Sequence, residues 1–144
     1  MALTFIFPEL PPSSNKIYFR GTILTAKARK YAEDFAKYAA QNHLAEIGQL
    51  NPNGVYAVHL RFYFETLLNA SYNNPRVPPS KRAKTRYKRL DLDNRIKLLT
   101  DCVRDAIGVD DSHIFAASQE KHQDPARPRV EITVQEVPPE LFGV

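Results

Sequence analysis

The chain carries one cysteine, Cys102, so no internal disulfide can form and nothing points to an oxidising compartment. No apolar run approaches the ~20 residues that cross a bilayer. Met1-Ala2-Leu3-Thr4-Phe5 lacks the basic flank and long apolar stretch of a signal peptide. The five glycines, Gly21, Gly48, Gly54, Gly108 and Gly143, are too scattered for a phosphate-cradling loop, which sets nucleotide hydrolysis aside. Four histidines, His43, His59, His113 and His122, form no His-x-His or His-Glu-x-x-His pattern, so a zinc centre is not expected. These absences leave a soluble intracellular protein with no membrane partner and no nucleotide cofactor.

What is present is ordinary in bulk and uneven in detail. Hydrophobic residues make up 43% and charged residues 25%, near the globular average. A chain of 144 residues can bury roughly two-thirds of its unfolded surface and needs no metal or bridge to fold. Twenty Lys and Arg against sixteen Asp and Glu give a net charge of +4. Seven of the basic residues, Arg76, Lys81, Arg82, Lys84, Arg86, Lys88 and Arg89, fall in one stretch with no acid among them. Taking those seven from the twenty leaves thirteen against sixteen, a net of −3, so the basicity is local. Such a run neutralises a polyanion and releases its counterions, although a solubilising surface loop has the same composition.

Alternation and spacing predict the elements. Leu3, Phe5 and Phe7 alternate as a short strand that Pro8 stops, and Pro11-Pro12-Ser13-Ser14-Asn15 forms a turn. Thr25 caps a helix to about Ile47, with Ala28, Tyr31, Ala32, Phe35, Tyr38 and Ala39 on its core stripe and Gly48 at its end. Val58, Leu60, Phe62 and Phe64 mark a half-buried strand. Residues 66–90 keep no periodicity and read as a long basic loop. A second helix starts near Asp93 with Ile96, Leu99, Val103, Ala106 and Ile107 on one face, and Gly108 closes it. Strands follow at about His113–Gln119 and Arg129–Val137. The order β-α-β-α-β-β predicts one α+β domain over residues 1–144, with a mixed β-sheet and two main helices.

The chemistry concentrates in Leu90-Asp91-Leu92-Asp93-Asn94-Arg95-Ile96-Lys97, with Asp110-Asp111 beyond the second helix. Asp91, Asp93 and Lys97 can share one solvent-facing edge, and Asp111 joins them if the next strand pairs beside that edge. Carboxylate oxygens suit Mg²⁺, which fills its remaining positions with water and substrate phosphate. A structural reading serves the same spacing: Asp93 as helix cap, Asp91 favouring the helix dipole, Lys97 paired with Asp93 or Asp101. Cys102 and His59 read as packed or satisfied residues. His113, two residues after the Asp110-Asp111 pair, stays a candidate neighbour of a phosphate, as does Asp110 itself.

The string Asp91-Leu92-Asp93-Asn94-x-x-Lys97, the helix after it, Asp110-Asp111 and the Pro11-Pro12-Ser13-Ser14-Asn15 turn together resemble the RusA family of Holliday-junction resolvases, from about Phe5 to Val137. The resemblance implies an Mg²⁺-dependent endodeoxyribonuclease, with Mn²⁺ able to substitute. It implies a homodimer that binds four-way branched DNA and resolves it by paired symmetric nicks in recombination and repair. It implies a cytoplasmic, nucleoid-associated setting, bacterial or phage-derived. The metal ligands then fall on Asp91, Asp93 and Asp111, with Lys97 as the fourth catalytic residue. Contacts to DNA fall on Asn15, Arg95 and Lys121 beside the seven cations of the basic run. The chain departs from the family at Leu90, where an arginine is expected (Arg89 lies one position away), and at Ser14, where an asparagine is. Its connection from Thr66 to Arg89 is also longer. A non-catalytic branched-DNA binder of the same shape is the competing expectation.

Overall fold

A computed structural model describes residues 2–20 and 23–144. Strand β1 is Ala2–Phe7, and its side chains alternate between exposed and buried as the sequence predicts. After the Pro-rich turn, a single 3-10 turn covers Ser14–Lys16, and a two-residue ladder pairs β2 (Tyr18–Phe19) with β3 (Ile23–Leu24). Helix α1 is Ala26–Gly48. Thr25 caps it, its Oγ1 accepting from the Ala28 N–H at 3.2 Å while donating to the Lys16 carbonyl at 2.7 Å. Its buried side chains are Ala28, Tyr31, Phe35 and Ala39. Phe35 and Tyr31 pack on Phe5 and Phe7 with ring centroids 5.3–5.6 Å apart, so the aromatics of this helix are core residues.

Strand β4 (Val55–Phe64) leads through residues 65–92 to helix α2 (Asp93–Ile107). Gly108 closes α2 at φ +68°, a left-handed position that costs other residues more, and its N–H bonds the Arg104 carbonyl at 2.9 Å. The buried side of α2 is wider than the predicted stripe: Leu98 and Cys102 join Leu99, Val103 and Ile107, while Ile96 and Ala106 are half-buried against the core. Burial pushes the Cys102 thiol up to about 12, which leaves it an inert packing residue. Strands β5 (Ile114–Gln123) and β6 (Arg129–Val137) complete a sheet of order β1-β6-β4-β5. Only β4 and β5 run parallel, so the sheet is mixed, as expected for this α+β order. β5 starts and ends later than the predicted His113–Gln119.

One face of the sheet buries Val58, Leu60, Phe62, Val130, Ile132 and Val134 in the core. The other face carries mostly polar side chains that bond one another, although His122 Nε2 there is buried without a hydrogen-bond partner. His59 bonds both Ser118 and Glu120, Arg61 reaches Glu131 and Thr133, and Arg129 lies 3.9 Å above the Tyr63 ring while bonding Asp124 and Glu131 at 2.7 Å each. His59 is thus a satisfied strand histidine. Among the described residues no helix is long and apolar enough to cross a membrane.

Candidate active site at the start of the second helix

Residues 11–15 and 89–95 are far apart in sequence and locked together in space. The Ser14 hydroxyl donates to the Asp91 carbonyl, Asn94 Nδ2 donates to the Ser14 carbonyl at 2.9 Å, and Arg95 Nε donates to the Pro12 carbonyl at 3.1 Å. The Arg95 guanidinium also sits 5.3 Å from the Phe64 ring centroid. Arg95 is only 8% exposed, so most of this cation serves as a strut between turn, helix and sheet. Burial lowers its pKa, against the pull of Asp91. Between turn and helix lies a cleft of about 280 Å³ lined by Ser13, Ser14, Asn15, Arg89, Asp91 and Arg95.

The helix cap is not what the spacing implied. Leu92 holds the cap position without a side-chain bond, Asp93 is the first helical residue, and the Asp91 Oδ1 accepts from the Asp93 N–H at 3.0 Å. Capping therefore falls to Asp91, through an Asx turn, and the Asp93 carboxylate makes no hydrogen bond among the described residues. Both aspartates are exposed, and Asp91 lines the cleft. One turn on, the Lys97 ammonium lies 4.7 Å from the Tyr18 ring centroid, so the β2–β3 ladder supplies the surface that positions it.

The other end of α2 is organised differently. Asp111 opens a 3-10 turn, Asp111–His113, and its Oδ2 is 3.1 Å from Arg104 Nη1. Arg104 also faces Asp101 at 3.4 Å and Asp105 at 3.7 Å. Burial raises the Asp101 carboxyl, opposed by Arg104 and reinforced by Asp105 and Asp111. Asp110 caps the 3-10 turn, and its hydrogen bonds from Ser112 hold its carboxyl below the usual range. His113 Nδ1 is 2.9 Å from the Gly54 carbonyl, which fixes the proton on that nitrogen. Asp101 and Arg104 are eight and eleven residues beyond Asp93, roughly 12–16 Å along the helix axis. The structure thus gathers Asn15, Arg89, Asp91 and Arg95 around one cleft, with Asp93 tied to Asp91 through its N–H, while Asp111 is paired with Arg104. Among the described residues, no three acidic, histidine or cysteine side chains are grouped closely enough to hold a metal ion. Two neighbouring exposed carboxylates fit the mode in which Mg²⁺ takes one or two protein oxygens and completes its shell with water and phosphate.

The basic run is a folded lobe. Leu68 and Tyr87 form an antiparallel bridge at its neck, and Asn69 Nδ2 donates to the carbonyls of Thr85 at 2.8 Å and Tyr87 at 3.2 Å. Arg82 is turned inward, its Nε donating to the Val77 carbonyl at 2.9 Å. Arg76, Lys81, Lys84, Arg86 and Arg89 are exposed, and Lys88 is half-buried. Lys121 stands on β5 opposite Phe62, exposed at the sheet edge. Sequence reasoning missed Tyr18 and Arg104 as partners of the site, and Ser14 and Asn94 as its staples. Ties spanning 77 to 83 residues leave no local pattern to read.

A family model for endodeoxyribonuclease RusA matches residues 9–135. No curated protein sequence matches the chain. Among solved structures, the periplasmic domain of Helicobacter pylori MotB is similar at 15% identity with a TM-score of 0.39, covering 97% of this chain and 82% of that one, too slight a likeness to bear on fold or function.

Proposed function

The chain belongs to the RusA endodeoxyribonuclease family, and from that premise we propose that it is a divalent-metal-dependent nuclease that resolves Holliday junctions by paired nicks at the start of α2. The observation that supports this most is that exposed Asp91 lines a cleft with Asn15, Arg89 and Arg95, and exposed Asp93 follows two residues on, its N–H bonded to Asp91. In this reading Asp91 and Asp93 hold Mg²⁺, or Mn²⁺ in its place. Bound there, the ion supplies Lewis acidity toward a phosphodiester oxygen and lowers the pKa of a bound water. Lys97, resting on Tyr18, places positive charge where the phosphate gains negative charge. Arg89 and Asn15 orient the phosphate, and the exposed cations of the lobe, with Lys121, engage the backbone of the arms, contacts that position without reading sequence.

Resolution of a junction with two-fold symmetry calls for two sites related by the same symmetry, hence a homodimer. Asp111, paired with Arg104 near the far end of α2, joins this metal set as its third carboxylate on release from that pair. The protein would act in the cytoplasm, at the nucleoid, in recombination and repair.

A second reading has its own observation. Asp91 spends one oxygen on the Asp93 N–H and Asp111 is paired with Arg104, as in a branched-DNA binder whose acids serve the fold. Incubating the protein with a fixed four-way junction and with linear duplex of the same sequence, in Mg²⁺ or in EDTA, separates the two. The nuclease reading expects paired Mg²⁺-dependent nicks near the crossover on the junction alone. Binding without nicks in both Mg²⁺ and Mn²⁺ supports the binder.

A further inference from the structure

The basic lobe carries an apolar feature that phosphate contacts do not explain. Tyr87 is 59% exposed and Leu68 is 46% exposed. As bridge partners they stand opposite each other, and directly opposed residues of an antiparallel pair present their side chains on the same side. Scattered exposed apolar residues are commonplace, but two side by side on a cationic surface form a small patch with a defined setting. The Arg86 guanidinium lies 5.7 Å from the Tyr87 ring centroid, Lys88 follows, and Arg89 reaches the cleft that contains Asp91.

The patch is also held stiffly. The Asn69 N–H donates to the Arg86 carbonyl at 3.0 Å and the Lys88 N–H to the Leu67 carbonyl at 2.8 Å. The Leu67 N–H is fixed to Gln123 Oε1 at 2.7 Å, which ties the neck to the end of β5. A ring presented on a fixed neck loses little freedom when something stacks on it. Tyr87 is four residues before Asp91, at most about 13 Å along an extended chain, within two nucleotides of the proposed scissile phosphate.

We propose that Tyr87, backed by Leu68, is a stacking platform for a DNA base that has left its helical stack, so that the lobe recognises unstacked bases at a branch point as well as backbone charge. Every base has a π-face, so such a platform selects for exposure of a base and not for its identity. The flanking cations steer the DNA onto it, and the guanidinium of Arg86 adds a second plane. The proposal rests on the reading of the chain as a branched-DNA nuclease, and its test stands apart from nicking.

Three substrates test it: a four-way junction with 2-aminopurine beside the crossover, a linear duplex with one extrahelical 2-aminopurine, and the fully paired duplex. Each is titrated with the wild type, Tyr87→Ala and Tyr87→Phe. The wild type quenches the extrahelical base by stacking, and Tyr87→Phe retains the quench. Tyr87→Ala loses it, binding the first two substrates about tenfold more weakly, at the lower end of what base–aromatic stacking contributes, and the paired duplex within twofold of wild type. Three results would each overturn the proposal: unchanged quenching in Tyr87→Ala, an equal loss on all three substrates, or a loss in Tyr87→Phe as large as in Tyr87→Ala. If the wild type fails to nick the junction, the nuclease reading falls, while the extrahelical duplex still decides the role of Tyr87.

Discussion

The two ends of helix α2 carry the same kind of residue in opposite states. At its start, Asp91 and Asp93 are exposed, Asp91 lining a cleft with Arg89 and Arg95, and the Asp93 carboxylate is left without a hydrogen-bond partner among the described residues. At its end, Asp101, Asp105 and Asp111 converge on the single guanidinium of Arg104. Exposed acids that share a cation are screened and contribute little beyond local order. Acids that keep free oxygens are available to a metal ion. Sequence spacing does not distinguish the two ends. The difference comes from what folds against each: a turn of Ser and Asn side chains at the start, the helix's own last arginine at the end.

The comparison breaks most sharply in rates. Asp93→Asn should slow single-turnover nicking of a four-way junction by about 100-fold or more, the scale of losing one electrostatic contact to the reacting phosphate. Asp105→Asn, at the other end of the same helix, should cut within twofold of wild type. Equal rates for all three proteins would mean that the start of α2 is not the reacting end.

A smaller effect sharpens the structural half of the comparison. Arg95→Met removes the tie to the Pro12 carbonyl and the stacking on Phe64, and should lower stability by about 2 kcal/mol, the range for a hydrogen bond to a charged group. Read as thermal unfolding, that is a drop of roughly 4–8 °C for a chain of this size. Arg104→Met, whose partners are more exposed, should fall by less than half as much. If the two variants unfold together, the start of α2 is no more tightly built than its end.

Much of the fold was legible because its patterns answer to burial. Val130, Ile132 and Val134 alternate because β6 lies between β1 and β4 with one face on the core, and Tyr31 and Phe35 recur at helical spacing because α1 packs on β1. β5 was placed short because it is the sheet edge, where residues on both sides stay exposed and no alternation survives past Gln119. The β2–β3 ladder is two residues long, below the reach of any periodicity. At the site, the acidic string and the Pro-Pro-Ser-Ser-Asn turn were visible as motifs, but their union was not, since it depends on backbone carbonyls of Pro12, Ser14 and Asp91. Arg95 reads as one more surface cation in the string, and only its place over Phe64 shows it to be a strut. The basic run is visible as charge, while the neck that makes it a lobe is built from backbone bonds across residues 67–88 and an asparagine side chain reaching two carbonyls, none of which leaves a pattern in the sequence.

The central claim is that the two carboxylates at the start of α2 hold the catalytic ion, and bound Mn²⁺ reports on it directly. Electron paramagnetic resonance counts free and bound Mn²⁺ in complexes with a junction whose scissile linkages are blocked against cleavage. The account predicts that wild type and Asp105→Asn retain the same tightly bound Mn²⁺ per site and that Asp93→Asn loses it. Retention of that ion by Asp93→Asn, at wild-type affinity, would contradict the account.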